Sequence, residues 1–315
     1  VRKHDDKLLI EKETRMHGNV TILRLKFKTP LGVGVRALDS HGLLCYILTR
    51  FLYALTQASG IGMSLMVSIS GVRGIVGDGL TPEVVVKYSA AFAQYCNGGK
   101  IVVGRDGRIT GKIIGNLVSS TLLAMGCDVV ALGVAPTPTV AIAVEQLHAA
   151  GGIAITASHN PIEWNGLKFM GSSGMFLNTE ENRRLWSLAG EESRSYARWS
   201  GLGRHLVDDS FLRQHMDMVL SLPYLNLTTI RRKKFKVVLD CINAAGSVIA
   251  PVLLRELGCE VIEVNCDGSG VFARAPEPLP EKFVAVTVPP TCTLPATSSL
   301  AAGFGSSMPT LLPLR

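Results

Sequence analysis

Charged residues make up only 18% of the 315 positions and aromatic ones 6%, and no two of the seven cysteines stand in CxxC spacing. The low charge, beside 47% apolar content, excludes a disordered chain and leaves length for two globular domains with sizeable cores. Scarce aromatics, with no interleaving of basic and aromatic residues, argue against a nucleic-acid surface. The net charge of +7 does not restore one. Up to Gly62 there are ten Lys and Arg against five Asp and Glu, which places +5 there and leaves +2 for the other 253 residues. The cysteines at 45, 96, 127, 241, 259, 266 and 292 sit mostly among apolar neighbours, as expected of thiols kept reduced in a cytoplasmic protein. A membrane span is also missing. The most apolar run, residues 43–56, has 14 residues and is interrupted by Arg50, whereas a spanning helix needs about 20. A buried or interfacial helix is the most it predicts, so neither nucleic acid nor membrane is expected as a partner.

What is present changes texture along the chain. Residues 1–62 begin with Val and show no clear period; they are expected to be an atypical extension, with Met63 the candidate natural start. From Met63 to Phe283, β-rich apolar runs, Gly-containing turns and helical patterns alternate, which is the α/β signature. One pattern occurs twice. Lys100 to Asp106 leads through a turn into a helical stretch from Ile113 to Met125 and on to Gly126 through Val130; Lys236 to Asp240 leads through Asn243 to Ser247 into Val248 to Leu257 and on to Gly258 through Ile262. Each copy reads strand, turn, helix, glycine stop, strand. This predicts α/β domains in tandem, at 63–225 and 226–283, with one larger sheet holding both copies as the alternative. Residues 284–315 carry a single charge, Arg315, and no period. That low-charge tail is expected of a changed reading frame or a truncated gene product, which would leave the second domain incomplete.

The densest polar cluster is Thr156 to Pro161 (TASHNP), directly after the buried-strand pattern Gly151 to Ile155. Small residues and Pro161 put Ser158 on a loop at the strand's carboxyl end, where open α/β sheets hold ligands. Three chemistries compete for it. A serine hydrolase needs a base and an orienting acid; His159 serves poorly, because adjacent side chains of an extended loop point apart, and no GxSxG elbow is present. A metal site on His159 lacks a second ligand at useful spacing. A serine that accepts and returns a phosphoryl group needs flanking donors and a nearby cation instead of a triad. A loop that only caps itself with Ser158, Asn160 and Pro161 stands beside all three.

TASHNP followed by Asn165-Gly-Leu-Lys168 resembles the phosphoserine loop of the α-D-phosphohexomutases. Four more stretches agree with that family in order and spacing: SGVRG at Ser70 to Gly74, GRDGR at Gly104 to Arg108, PTP at Pro136 to Pro138, and Gly270 to Phe272 with PEPLP at Pro276 to Pro280. Within the family the phosphoglucosamine mutases are nearest in pattern, followed by phosphomannomutases and phosphoglucomutases. The resemblance implies tandem domains with mixed sheets and flanking helices. It also implies interconversion of hexose 6- and 1-phosphates through a phosphoserine and a bisphosphorylated sugar.

By the same resemblance Ser158 carries the phosphate, His159 and Asn160 flank it, Lys168 is the general acid and base, and Arg73 holds the phosphate. Ser70 and Arg105 are further phosphate or substrate contacts. A solvated helix-face lysine and a plain turn arginine are the alternatives for Lys168 and Arg73, and Arg105, Asp106 and Arg108 are expected foremost as an ion-pair turn that shapes the site. The implied partner is a phosphosugar and the implied cofactor Mg2+, bound in the family by a D-x-D-x-D-R loop that follows PEPLP. No aspartate follows Glu281 in this chain. Of the metal's ligands only Ser158, through its phosphate, would remain, and a non-catalytic fragment is the competing reading.

Overall fold

The computed structural model describes Ile10–His17, Val20–Phe27 and residues 65–191 and 193–277. The chain divides after Gly62 into two units. In the first, β1 (Ile10–His17) and β2 (Val20–Phe27) pair antiparallel, Ile10 opposite Phe27 and His17 opposite Val20. For residues 10–27 this departs from the aperiodic reading: Leu23, Leu25 and Phe27 alternate with Arg24 and Lys26, a period of two over a short span. The apolar run at 43–56 and the tail at 284–315 lie outside the described residues.

The second unit is built on a mixed seven-stranded sheet in the order β3-β4-β8-β7-β5-β6-β9. Its strands are β3 (Leu65–Ser68), β4 (Gly71–Ile75), β5 (Lys100–Arg105), β6 (Asp128–Val134), β7 (Gly151–Ile155), β8 (Trp164–Met170) and β9 (His205–Val207). Five helices cover it: α1 (Pro82–Tyr95), α2 (Gly111–Ala124), α3 (Thr137–Gln146), α4 (Thr179–Gly190) and α5 (Phe211–Leu220). Helix starts follow local chemistry. Thr81 caps α1 with its hydroxyl, followed by Pro82 at the first turn, where a missing N–H does no harm. Pro138 likewise sits in the first turn of α3, which starts after Pro136 without a side-chain cap. Strand alternation divides the core in two: Ile101 and Val103 of β5 pack with α1, α2 and α4, while Val102 packs with α3 and Phe211 of α5.

Topology sets where a site can form. β5 pairs in parallel with both β6 and β7, so the chain moves outward to β6 and then crosses back to the far side of β5. Loops after β5 and β7 therefore part at the sheet's carboxyl edge, the topological switch point at which α/β sheets hold ligands. The second βαβ copy forms its own small sheet, β10 (Lys236–Asp240) parallel to β11 (Glu260–Val264), preceded by α6 (Leu227–Lys233). Its expected helix from Val248 to Leu257 is found as α7 (Ala250–Glu256), with Pro251 in its first turn and a 3-10 turn, Ala245–Val248, before it. The two copies thus do not share one sheet.

Candidate active site

Ser158 sits at the switch point, exposed, on the loop that leaves β7. Its φ is +57°, a left-handed conformation that costs a non-glycine residue on the order of 1–3 kcal/mol and persists only where the surroundings over-determine it. The loop is therefore not extended at Ser158, and neighbouring side chains there are not forced to point apart as an extended loop would require. What fixes the loop lies below it. The Thr156 hydroxyl accepts from Ser158 N at 3.0 Å and donates to Asp106 Oδ2 at 2.6 Å. Arg108, 1% exposed, donates to the carbonyls of Ser158, Asn160, Pro161 and Trp164 at 2.6–2.9 Å. The same guanidinium meets Asp106 Oδ2 through Nε at 3.1 Å.

Beside Ser158 opens a cavity of about 200 Å³ lined by Ser68, Ser70, Gly71, Val72, Arg73, Thr156, Ala157, Ser158, His159 and Lys168. Two strands deliver its cations, Arg73 and Lys168. Arg73 comes from β4 and lies opposite Gly166 of β8, two residues from Lys168. A Cβ at Gly166 would stand 2.6 Å from Val72 O and 2.8 Å from Arg73 Cβ, so glycine there lets β4 approach β8. Asn165 before it is fully buried, donating to Thr110 Oγ1 at 2.9 Å and accepting from Gly166 N at 2.8 Å. Lys168 is thus a half-buried strand residue, not one on a helix face.

Charge in the cavity is cationic, with no carboxylate in its lining. Burial, and next the positive charge of Arg73, push the Lys168 ammonium below its ordinary range, while Asp106 opposes the shift. Arg73 donates through Nη1 to Asn160 Oδ1 at 3.2 Å, and its buried Nε has no partner. An orphaned guanidinium N–H beside a serine, a lysine and a histidine is a donor set suited to an oxyanion, above all a phosphate.

Of the residues singled out in the sequence, Ser70, Arg73, Ser158, His159 and Lys168 meet in this cavity, and Asn160 reaches it through Arg73. Arg105 does not line it. As the last residue of β5 it donates to Asp106 O at 3.4 Å. The expected ion-pair turn is made by Asp106 and Arg108 alone among the described residues. The reach of Arg108 into the serine loop was not read from the sequence, because its acceptors there are backbone carbonyls, which leave no side-chain pattern. A signal was available in the Asp106-Gly-Arg108 spacing, a turn in which the aspartate also accepts from Arg108 N.

Residues 64–195 match the family model for phosphoglucomutase/phosphomannomutase α/β/α domain I, and residues 213–294 match domain II. Among curated relatives, the chain is 40% identical over 217 residues to a Methanopyrus kandleri protein named "Probable phosphoglucosamine mutase", a match covering 68% of this chain and 46% of that one. It is 38% identical to a phosphoglucomutase/phosphomannomutase of Thermococcus kodakarensis, over 68% of this chain and 47% of that one. A crystal structure of a putative phosphomannomutase from Thermus thermophilus superposes with a TM-score of 0.62 at 27% identity, over 70% of this chain and 50% of the other. One from Burkholderia thailandensis, of a phosphoglucomutase/phosphomannomutase family protein, does so with 0.52 at 25%, over 65% and 46%. The chain spans about half the length of the curated relatives it matches. With two successive domain models matched in order across the segment that carries the Ser158 loop, the chain belongs to the phosphohexomutase family.

Proposed function

We propose that this chain carries the phosphoryl-transfer serine of a phosphohexomutase. The observation that supports the reading most is a cavity in which Ser158 faces two cations, Arg73 and Lys168, and no carboxylate. In the reaction, phosphorylated Ser158 gives its phosphoryl group to a free hydroxyl of a hexose monophosphate. The Ser–O–P bond breaks, a sugar–O–P bond forms, and the hydroxyl proton passes by way of the Lys168 amine to the departing Ser158 oxygen. The resulting bisphosphate turns over, Ser158 takes the phosphoryl group from the other position, and Lys168 passes the Ser158 proton to the departing sugar oxygen. A lysine whose pKa is lowered suits both directions, and Arg73 stabilises the charge that spreads over the transferring group. Ser70, His159 and Asn160 would orient it.

Hexosamine phosphates stand first among the substrates, supported by the names of relatives at 35–40% identity, with mannose and glucose phosphates next. Magnesium, the cofactor implied by the family, does not fit the groups present. The cavity offers no carboxylate, and the described residues contain no cluster of three His, Cys, Asp or Glu arranged for a metal. A hard cation favours charged oxygen ligands, and in this cavity the only one would be the phosphate on Ser158, beside the neutral hydroxyls of Ser68, Ser70 and Thr156. Among the described residues no helix is long and apolar enough to cross a membrane.

The test is a half-reaction. Incubation of the purified chain with glucose 1,6-bisphosphate, followed by intact-mass and peptide analysis, is expected to add one phosphate, on Ser158, and none in Ser158→Ala. Phosphate only at other positions, or undiminished labelling of Ser158→Ala, would overturn the reading.

A further inference from the structure

The Arg108 guanidinium has five N–H donors, and all five are used. Nη1 holds Pro161 O and Trp164 O, Nη2 holds Ser158 O and Asn160 O, and Nε holds Asp106. Four of these acceptors lie within the seven residues from Ser158 to Trp164, so one planar group fixes the course of the reactive loop, including the left-handed backbone at Ser158. The remaining face is covered from further along the chain. The Phe272 ring centroid is 4.9 Å from Arg108 Cζ, a cation–π distance, and Phe272 follows the second βαβ copy. The neighbouring backbone is equally close: a Cβ on Gly270 would stand 1.7 Å from Gly107 O, and one on Gly107 would stand 2.9 Å from Ala244 Cα. Gly270 N in turn donates to Asn243 O at 2.8 Å, which anchors the Gly270–Phe272 stretch to the turn after β10.

We infer that Arg108 is a positioning residue for Ser158 and that Phe272 makes the geometry of the serine loop depend on docking of the second α/β segment. Arg108 touches no reacting atom. It acts through carbonyls, and the aromatic face over it shields those hydrogen bonds from water. Lysine cannot substitute, since a single ammonium has three donors and no planar fork. An aromatic at 272 is needed for the ring face, whereas leucine supplies similar apolar bulk without one.

The transfer-rate part of this inference rests on the proposed function, so the experiment carries a second readout that does not. Phe272→Leu, Phe272→Tyr and Arg108→Lys are compared with the parent chain by amide hydrogen exchange over residues 157–165 and by the rate at which glucose 1,6-bisphosphate phosphorylates Ser158. Phe272→Leu is expected to melt at the parent temperature yet lose protection in the loop, and to slow phosphorylation on the order of 10–100-fold, the scale of a misplaced reacting group. Phe272→Tyr should restore both. Arg108→Lys should show the larger loss despite its conserved charge. Loop exchange that changes in a chain that is never phosphorylated would sink the functional reading and leave the positioning role standing. Parent-like exchange and phosphorylation in Phe272→Leu would overturn the inference.

Discussion

At Lys168, burial and the adjacent Arg73 charge act in the same direction, both favouring the neutral amine. Replacing Arg73 with Met removes the second influence and leaves the first. The Lys168 amine, followed by NMR in 13C-methylated protein and assigned with Lys168→Arg, is therefore expected to titrate below an ordinary lysine in the parent and to move upward in Arg73→Met. An unmoved titration would show that Arg73 does not set the field. The sign for stability follows from proton linkage. The folded pKa lies below the unfolded value of 10.5, so the contribution is complete above that pH and is lost as pH falls through the folded value. Lys168→Met should flatten this slope in denaturant titrations. At this scale the sequence was most informative for side chains that line the cavity, because TASHNP and NGLK place Ser158 and Lys168 directly. It was misleading between the two arginines of GRDGR. Arg105 ends a strand and Arg108 follows a turn, and only the fold shows which of them turns inward.

Among the elements, β4 and the contact between α3 and α5 show how local geometry supports the site. Gly71 opens β4 at φ +104°, and a Cβ there would lie 2.1 Å from Leu167 O. Gly71→Ala is expected to lose at least about 2 kcal/mol in denaturant unfolding, from strain and from forced separation of β4 and β8. It should disturb Arg73 as well; a loss under about 0.5 kcal/mol would mean the strands yield easily. On the opposite face of the sheet, buried Thr139 of α3 meets His215 Nδ1 of α5 at 2.9 Å, and burial lowers the His215 pKa below its ordinary 6.5. A depressed folded pKa means that this stability is present above about 6.5 and is lost as pH falls through the folded value. Acidification should accordingly destabilise the parent more steeply than His215→Gln, and equal slopes would remove the histidine from the account. Strands, helices and both βαβ copies were legible from period and glycine stops. The order of the seven-stranded sheet was not, because placing β7 beside β5 and β8 beside β4 depends on pairings between residues far apart in sequence. Nor was the 3-10 turn at Ala245–Val248, which precedes the second copy's helix.

On the scale of the whole second unit, two kinds of contact among the described residues tie the second βαβ copy to what precedes it. Arg213 of α5 pairs with Glu256 of α7; Arg231 of α6, which donates to Glu256 O at 2.9 Å, lies on the second copy's own side. Arg213 is exposed and Glu256 partly so, and ion pairs near the surface contribute about 0–1 kcal/mol. The buried contact at Gly107, Arg108, Gly270 and Phe272 should therefore dominate the docking. Gly270 is its most sensitive point: its φ is +73° and its Cα lies where any side chain would strike Gly107 O. Gly270→Ala is expected to undock the second copy without unfolding the first. Hydrogen exchange should then lose protection across β10 and β11 while β5 and β7 keep theirs, and a single unfolding transition should separate into two. Arg213→Ala, which removes only the exposed pair, should leave one transition. If Gly270→Ala instead unfolds as one cooperative unit at the parent midpoint, the glycine contact does not hold the copies together. The Arg213–Glu256 pair is then the next contact to hold them, and the Arg213→Ala arm of the same experiment tests it.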